Sequence, residues 1–342
     1  MSKLEELMKS INKEFKEEVI HHGVSQYDYD RIPFTSPKLN FMTYGGIPMG
    51  KLIEFFGEEH GGKTTTALDI VANYQHMKDA RTVLYIDAEN TLDAVWATKL
   101  GVDLDDTIIL NPTSQGAETI FQKTLDLIDT GEIGLVVIDS LGVMVSNQAL
   151  GKSIEEKTVA GISKALTDFS KKAEMLCHKH KCTIIGINQL RDKIDAQYAT
   201  TTTTGGRAWK HNCAVRIEFR QGRFFDDKYK EIARGAENPR GMFIMVAMPK
   251  NKTCPPTRHT GQYTIRHEIG VDYLYDLTEL AIKYGIIEKD GAWYSILDPK
   301  DTENQLARLQ GIAKVYNYFE DEANRDVLVA FEDFIDSKVK ET

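Results

Sequence analysis

The chain has 342 residues, 42% hydrophobic and 27% charged, which suits one large α/β domain with smaller appendages in a soluble globular protein. Four cysteines are too few for a disulfide framework and fit a reducing cytoplasm, and no apolar stretch approaches the roughly 20 residues needed to span a bilayer. The net charge of −9 argues against a uniformly basic nucleic-acid binder, but residues 298–342 hold 11 Asp/Glu against 6 Lys/Arg, so local basic patches elsewhere remain open.

Met1 to Ile20 is charged and lacks the apolar core of a secretory signal. Leu4, Leu7, Met8, Ile11, Phe15 and Val19 recur at helical spacing, so residues 3–20 are expected to form an amphipathic helix. It is too short for a core of its own and needs its own domain or a neighbouring copy. The turn Gly45–Gly50 then delivers the chain into an apolar run, Leu52 to Phe56, read as a buried strand.

Gly57-Glu58-Glu59-His60-Gly61-Gly62-Lys63-Thr64 follows, and Thr65 opens a helical stretch. A G-x-x-x-x-G-K-T run between a strand and a helix is a phosphate-binding loop. Its glycines let backbone N–H groups close on phosphate oxygens, and the helix dipole favours the same anion. Lys63 is placed to neutralise phosphate charge, and the Thr64 hydroxyl to hold Mg²⁺.

Strands and helices then alternate: strands at Thr82–Ile86, Thr107–Leu110, Gly134–Ile138 and Thr183–Ile187, with helices at Ala94–Leu100, Ala117–Thr130 and 158–179 between them. This predicts a mostly parallel sheet covered on both faces. The run Cys177-His178-Lys179-His180-Lys181-Cys182 is read as a helix end entering a core strand, not as a metal site. Cys213–Phe219, Gly241–Met248 and Gln262–His267 alternate with charged turns, as in an antiparallel extension. The last seventy residues are expected to hold a helix at Leu274–Tyr284, a hairpin around Gly-Ala-Trp-Tyr, and two helices near 301–317 and 321–338.

Ligands in such folds bind at the carboxyl ends of the parallel strands, and three ends carry polar groups. Val136-Val137-Ile138-Asp139 is an apolar strand ending in a carboxylate, the pattern that orients Mg²⁺ through a water; it is too common to count alone but meaningful below a phosphate loop. Ile86-Asp87-Ala88-Glu89 offers Glu89 as the group that activates a water. Ile187-Asn188-Gln189 offers Gln189, an amide able to bind a γ-phosphate and lose it after hydrolysis, at the root of a long polar segment.

These motifs, with Gly-Gly-Ile-Pro-Met-Gly-Lys (45–51), Lys-Leu-Gly-Val-Asp (99–103), Thr-Thr-Thr-Gly-Gly (202–206), Lys-Asn-Lys (250–252) and Gly-Ala-Trp-Tyr-Ser (291–295), resemble the RecA-family recombinases from about residue 35 to 297. The resemblance implies a RecA-like P-loop ATPase core with a mostly parallel sheet and an antiparallel extension. It implies that Glu89 is the catalytic carboxylate and Gln189 the γ-phosphate sensor, that Asp93 and Trp96 contact adenine, and that Lys250 and Lys252 reach ATP on an adjacent subunit. ATP and Mg²⁺ are the implied ligands. Lys164, Lys171 and the adjacent Lys172 lie on a helix that follows a first DNA loop, about 150–159. The second loop, 190–207, is implied to meet DNA through Arg191, Lys193, Tyr198, Thr203, Thr204, Gly205, Gly206 and Arg207. Arg207 and His211 depart from the amide and the aromatic common at their positions, and Val159 replaces a larger residue. The chain is compact for the family, a pattern of phage-encoded members.

The resulting expectation is three parts: an N-terminal helical oligomerisation segment (1–32), an ATPase core (33–270) and a small C-terminal domain (271–342). The expected activity is that of a cytoplasmic, DNA-dependent ATPase that forms helical filaments on single-stranded DNA and pairs it with homologous double-stranded DNA, with no membrane partner. A ring-forming P-loop helicase and a nucleotide-switched recombination mediator are the alternatives.

Overall fold

The computed structural model describes residues 2–16, 19–20, 22–23, 29–151, 161–192, 201–233 and 235–341. Helix α1 (Lys3–Phe15) starts at a capping box, in which Ser2 Oγ accepts from Glu5 N and the Glu5 carboxylate accepts from Ser2 N. It stops sooner than the apolar spacing predicts: Lys16 adopts a left-handed conformation that turns the chain, so Val19 lies outside the helix. No residue of α1 is buried. A short β1 (Arg31–Ile32) pairs with β2 (Ile47–Pro48), and α2 (Pro37–Thr43), capped by Ser36, lies between them.

The alternating core follows: β3 (Leu52–Gly57), α3 (Lys63–Gln75), β4 (Thr82–Asp87), α4 (Ala94–Lys99), β5 (Thr107–Leu110), α5 (Ala117–Asp129), β6 (Ile133–Asp139), α6 (Asn147–Leu150), α7 (Gly161–His180) and β7 (Thr183–Asp192). Then come β8 (Thr201–Thr203), α8 (Gly206–Asn212), β9 (Val215–Phe225), β10 (Glu231–Ile232), β11 (Gly241–Asn251), β12 (Thr260–Arg266) and β13 (Gly270–Val271). One large sheet takes the order β13-β12-β11-β9-β3-β7-β6-β4-β5. Its half from β9 to β5 is parallel, and β9 to β13 is antiparallel. Strand β9 was expected only in the antiparallel extension. It pairs in parallel with β3 (Ile53↔Val215) and antiparallel with β11, so it joins the two halves.

Successive strand residues face opposite sides. Ile53, Phe55, Val83, Tyr85, Val137 and Ile185 pack with Ala67, Ile70 and Val71 of α3. Leu84, Ile86, Val136, Ile138 and Ile184 pack on the other face with Phe121 of α5 and Leu166 and Phe169 of α7. Phe121 and Phe169 stack with centroids 4.4 Å apart. Cover on both faces explains why these strands read as unbroken apolar runs.

A third core gathers the C-terminal residues: α9 (Tyr273–Lys283), β14 (Ile287–Asp290), β15 (Trp293–Asp298), β16 (Asp301–Gln310), α10 (Ile312–Glu320) and α11 (Arg325–Lys340). Residues 301–310 are a strand, not the beginning of a helix. Side chains rich in helix formers suggested otherwise, but Tyr294↔Leu309 and Ile296↔Ala307 pairing turns Ala307 and Leu309 toward the core at every second position. Arg308 on the other face sits 5.3 Å from the Trp293 ring. Packing decides between the two periods here.

Candidate functional site

The polar ends of β3, β4, β6 and β7 converge at the carboxyl edge of the parallel half. Gly57 ends β3 where a Cβ would lie 1.9 Å from Phe219 O of β9, so a side chain is excluded. Gly62, at φ 82°, caps α3 in a conformation that favours glycine. Glu58, Glu59 and His60 are exposed and Gly61 is buried, while Lys63 begins the helix and is only 8% exposed. Lys63 Nζ donates to Glu58 O at 2.5 Å, and no described carboxylate forms an ion pair with it. Burial lowers its pKa, opposed by Asp139 and Glu89 nearby. A buried ammonium at a helix N-terminus, satisfied only by its own loop, is a place for an anion. Thr64 is exposed at the pocket and Thr65 half-buried behind it.

Asp139 Oδ2 accepts from Thr64 Oγ1 at 2.8 Å and from the Tyr85 phenol at 3.0 Å. Burial raises the Asp139 pKa, while those two donors oppose the rise. The Tyr85 phenol is pushed far up by burial and the neighbouring carboxylates, so it stays protonated and a donor. Thr64 gives its one proton to Asp139 and keeps its lone pairs, and Asp139 Oδ1 accepts from no described residue. A hydroxyl oxygen beside a carboxylate is the hard, oxygen-only donor set that suits Mg²⁺.

Glu89 Oε1 accepts from Ser140 Oγ at 2.6 Å and lies 3.4 Å from Gln189 Nε2. Glu89 and Gln189, expected at the ends of two different strands, meet through their side chains. Asp87 instead closes the β4 loop, accepting from Thr91 N and Leu92 N. Asp93 is exposed and caps α4 through Trp96 N at 3.0 Å, and Trp96 is half-buried against the first core. The structure places both on the loop flank beyond β4.

Beneath Gln189 lies a network that the motifs do not announce. Asn188 Nδ2 donates to Glu54 Oε1 at 2.9 Å and to Thr204 O at 2.8 Å, and Arg216 Nε donates to Glu54 Oε2. Glu54 is fully buried, and the Arg216 guanidinium lies 4.5 Å from the Phe56 ring. A glutamate inside the apolar run Leu52–Phe56 was the available signal, since a buried charge requires partners. Ser140 was signalled only by following Asp139. Tyr85 gave no signal, because aromatic residues are ordinary in strands.

The second loop begins and ends as a ribbon: Arg191 pairs with Thr202 and Leu190 with Thr203. Arg191 is exposed and donates to Gly142 O. The hydroxyls of Thr203 and Thr204 point inward and have no described partner. Gly205 is buried and caps α8 at φ 100°, while Gly206 and Arg207 are exposed. Lys193, Tyr198 and the tip of the first loop, Val159 included, lie outside the described residues. Lys164 and Lys171 are exposed on α7 opposite the buried Leu166, Phe169 and Ala173, and Lys172 is exposed at the flank of that buried face.

Lys250 stands at the end of β11 and Lys252 just past it. Lys250 Nζ donates to Lys210 O at 2.7 Å and His211 O at 2.6 Å, and Lys252 Nζ to His211 O at 3.4 Å. Both ammonium groups thus cap the carbonyl end of α8; the register Lys250↔Arg216↔Glu54 sets them across β9 from the start of β3, whereas their own phosphate loop leaves β3 at its other end, Gly57. Burial and Lys252 lower the Lys250 pKa.

A model of the RecA N-terminal domain matches residues 2–272. Protein RecA of Fusobacterium nucleatum subsp. nucleatum is 33% identical over 276 residues, 80% of this chain and 70% of that protein. Protein RecA of Aquifex aeolicus is 33% identical over 301 residues, 87% of this chain and 84% of its own length. Protein RecA of Clostridioides difficile is 35% identical over 257 residues, 75% and 70% of the two chains.

Proposed function

The chain belongs to the RecA family, and from that premise we propose that it is a DNA-dependent ATPase that polymerises on single-stranded DNA and exchanges strands with a homologous duplex. The observation that carries the nucleotide half is Lys63: a buried ammonium at a helix N-terminus without a carboxylate at contact distance. A triphosphate provides the missing countercharge. Thr64 and Asp139 hold Mg²⁺, which when bound neutralises phosphate charge. Asp93 and Trp96 flank the base.

Glu89 orients and deprotonates the attacking water, with Ser140 holding one carboxylate oxygen. Gln189 exchanges its contact with Glu89 for the γ-phosphate. Through the neighbouring Asn188, bonded to Thr204 O, that exchange is transmitted to the second loop. Arg191, Lys193, Tyr198, Thr203, Thr204, Gly205, Gly206 and Arg207 meet DNA, aided by Lys164, Lys171 and Lys172 tracking phosphates. Lys250 and Lys252, on a different part of the surface from their own phosphate loop, complete the site of the next subunit in an open head-to-tail filament.

Electron microscopy with single-stranded DNA and a non-hydrolysable ATP analogue tests this reading. Open helical filaments are expected. Closed hexameric rings favour the helicase reading instead, and isolated particles on DNA favour the mediator.

A further inference from the structure

We propose that Tyr85 is a positioning residue for the divalent metal ion, acting through Asp139; this rests on the nucleotide reading above. Tyr85 stands on β4 and is 2% exposed, with its ring inside the core between the sheet and α3. A phenol in such a core requires a partner, and its hydroxyl donates to Asp139 Oδ2 at 3.0 Å. Thr64 Oγ1 donates to the same oxygen at 2.8 Å. Both hydrogen bonds therefore fall on one end of the carboxylate, and Oδ1 accepts from no described residue. The carboxylate is turned so that Oδ2 is anchored inward and Oδ1 is kept for the metal ion or its water.

The two anchors are not equivalent. Thr64 lies at the pocket surface and its oxygen is itself the group offered to a metal, so its bond to Asp139 is engaged by the same event. Tyr85 comes from the sheet below and is covered on all sides, so its hold on Asp139 is independent of ligand. A buried partner that fixes a metal-orienting group in this way typically changes metal affinity by about 10–100-fold when removed.

Tyr85→Phe keeps the ring and removes the oxygen. Three quantities are compared with the wild type: Mn²⁺ affinity of the ADP complex by electron paramagnetic resonance, fluorescent-ATP affinity in EDTA, and the melting temperature without ligand. Mn²⁺ binding is expected to weaken about tenfold, with EDTA-condition nucleotide affinity retained. Equal or tighter Mn²⁺ binding in Tyr85→Phe overturns the proposal, including the case in which only the melting temperature falls and the phenol is simply a core group. A wild type that binds nucleotide no better with Mg²⁺ than with EDTA overturns the nucleotide–metal reading itself, so the two failures are separable.

Discussion

Asp69 shows how one side chain ties the phosphate loop's helix to the N-terminal approach. It sits buried on α3 and accepts from Thr35 N at 3.0 Å. Burial pushes its pKa from 3.8 up to about 6. Because the folded value is the higher one, the folded state binds more protons between those limits. Stability from the protonated form is present below pH 3.8 and is lost as pH rises through about 6. Asp69→Asn keeps an acceptor and removes the charge, so it is expected to stabilise the fold by roughly 1–3 kcal/mol at pH 8 and to have little effect near pH 4. Urea unfolding at the two pH values checks this; an equal effect at both removes the charge as the cause. At this scale the residues of the phosphate loop were legible, since glycines, lysine and threonine at fixed spacing carry their own chemistry. Tyr85, Asn188 and Arg216 were not, because their importance comes from partners distant in sequence: 54 residues separate Tyr85 from Asp139, and 162 separate Arg216 from Glu54.

The elements of the parallel half were legible because cover on both faces leaves long apolar runs, whereas pairing choices were not. Nothing local tells β9 to run parallel to β3, and residues 301–310 carry helix-forming side chains in a strand that β15 templates. The C-terminal helix α11 depends on another non-local partner. Arg258 donates to the carbonyls of Phe41, Val339, Lys338 and Glu341, and its guanidinium lies 3.9 Å from the Phe41 ring and 4.1 Å from the Tyr44 ring. One cation thus caps the end of α11 and fastens it beside α2. Arg258→Ala is expected to destabilise that attachment by on the order of 2–3 kcal/mol. Hydrogen exchange is expected to speed in α11 while α3 stays protected; uniform exchange through both helices contradicts a local attachment.

The whole molecule places its two chemical halves apart. Lys63, Thr64, Glu89, Asp139 and Gln189 gather at the ends of the parallel strands, while Lys250 and Lys252 cap α8 beyond β9. In the proposed filament, each copy lends its two lysines to the next, and loss of either partner leaves the site incomplete. Neither the assembly nor its DNA was legible from spacing alone: Lys-Asn-Lys reads as a solvated turn until a family pattern gives it a role, and α1 shows an apolar face without naming what covers it. The most direct test is steady-state ATP turnover per molecule, measured over a wide range of protein concentration with and without single-stranded DNA, for the wild type and for Lys250→Ala/Lys252→Ala. The account predicts turnover that requires DNA, falls on dilution below the assembly range, and is lost in the double variant although nucleotide still binds. The same per-molecule rate from dilute, DNA-free protein, or undiminished DNA-stimulated turnover in the double variant, would contradict a site completed by a neighbour.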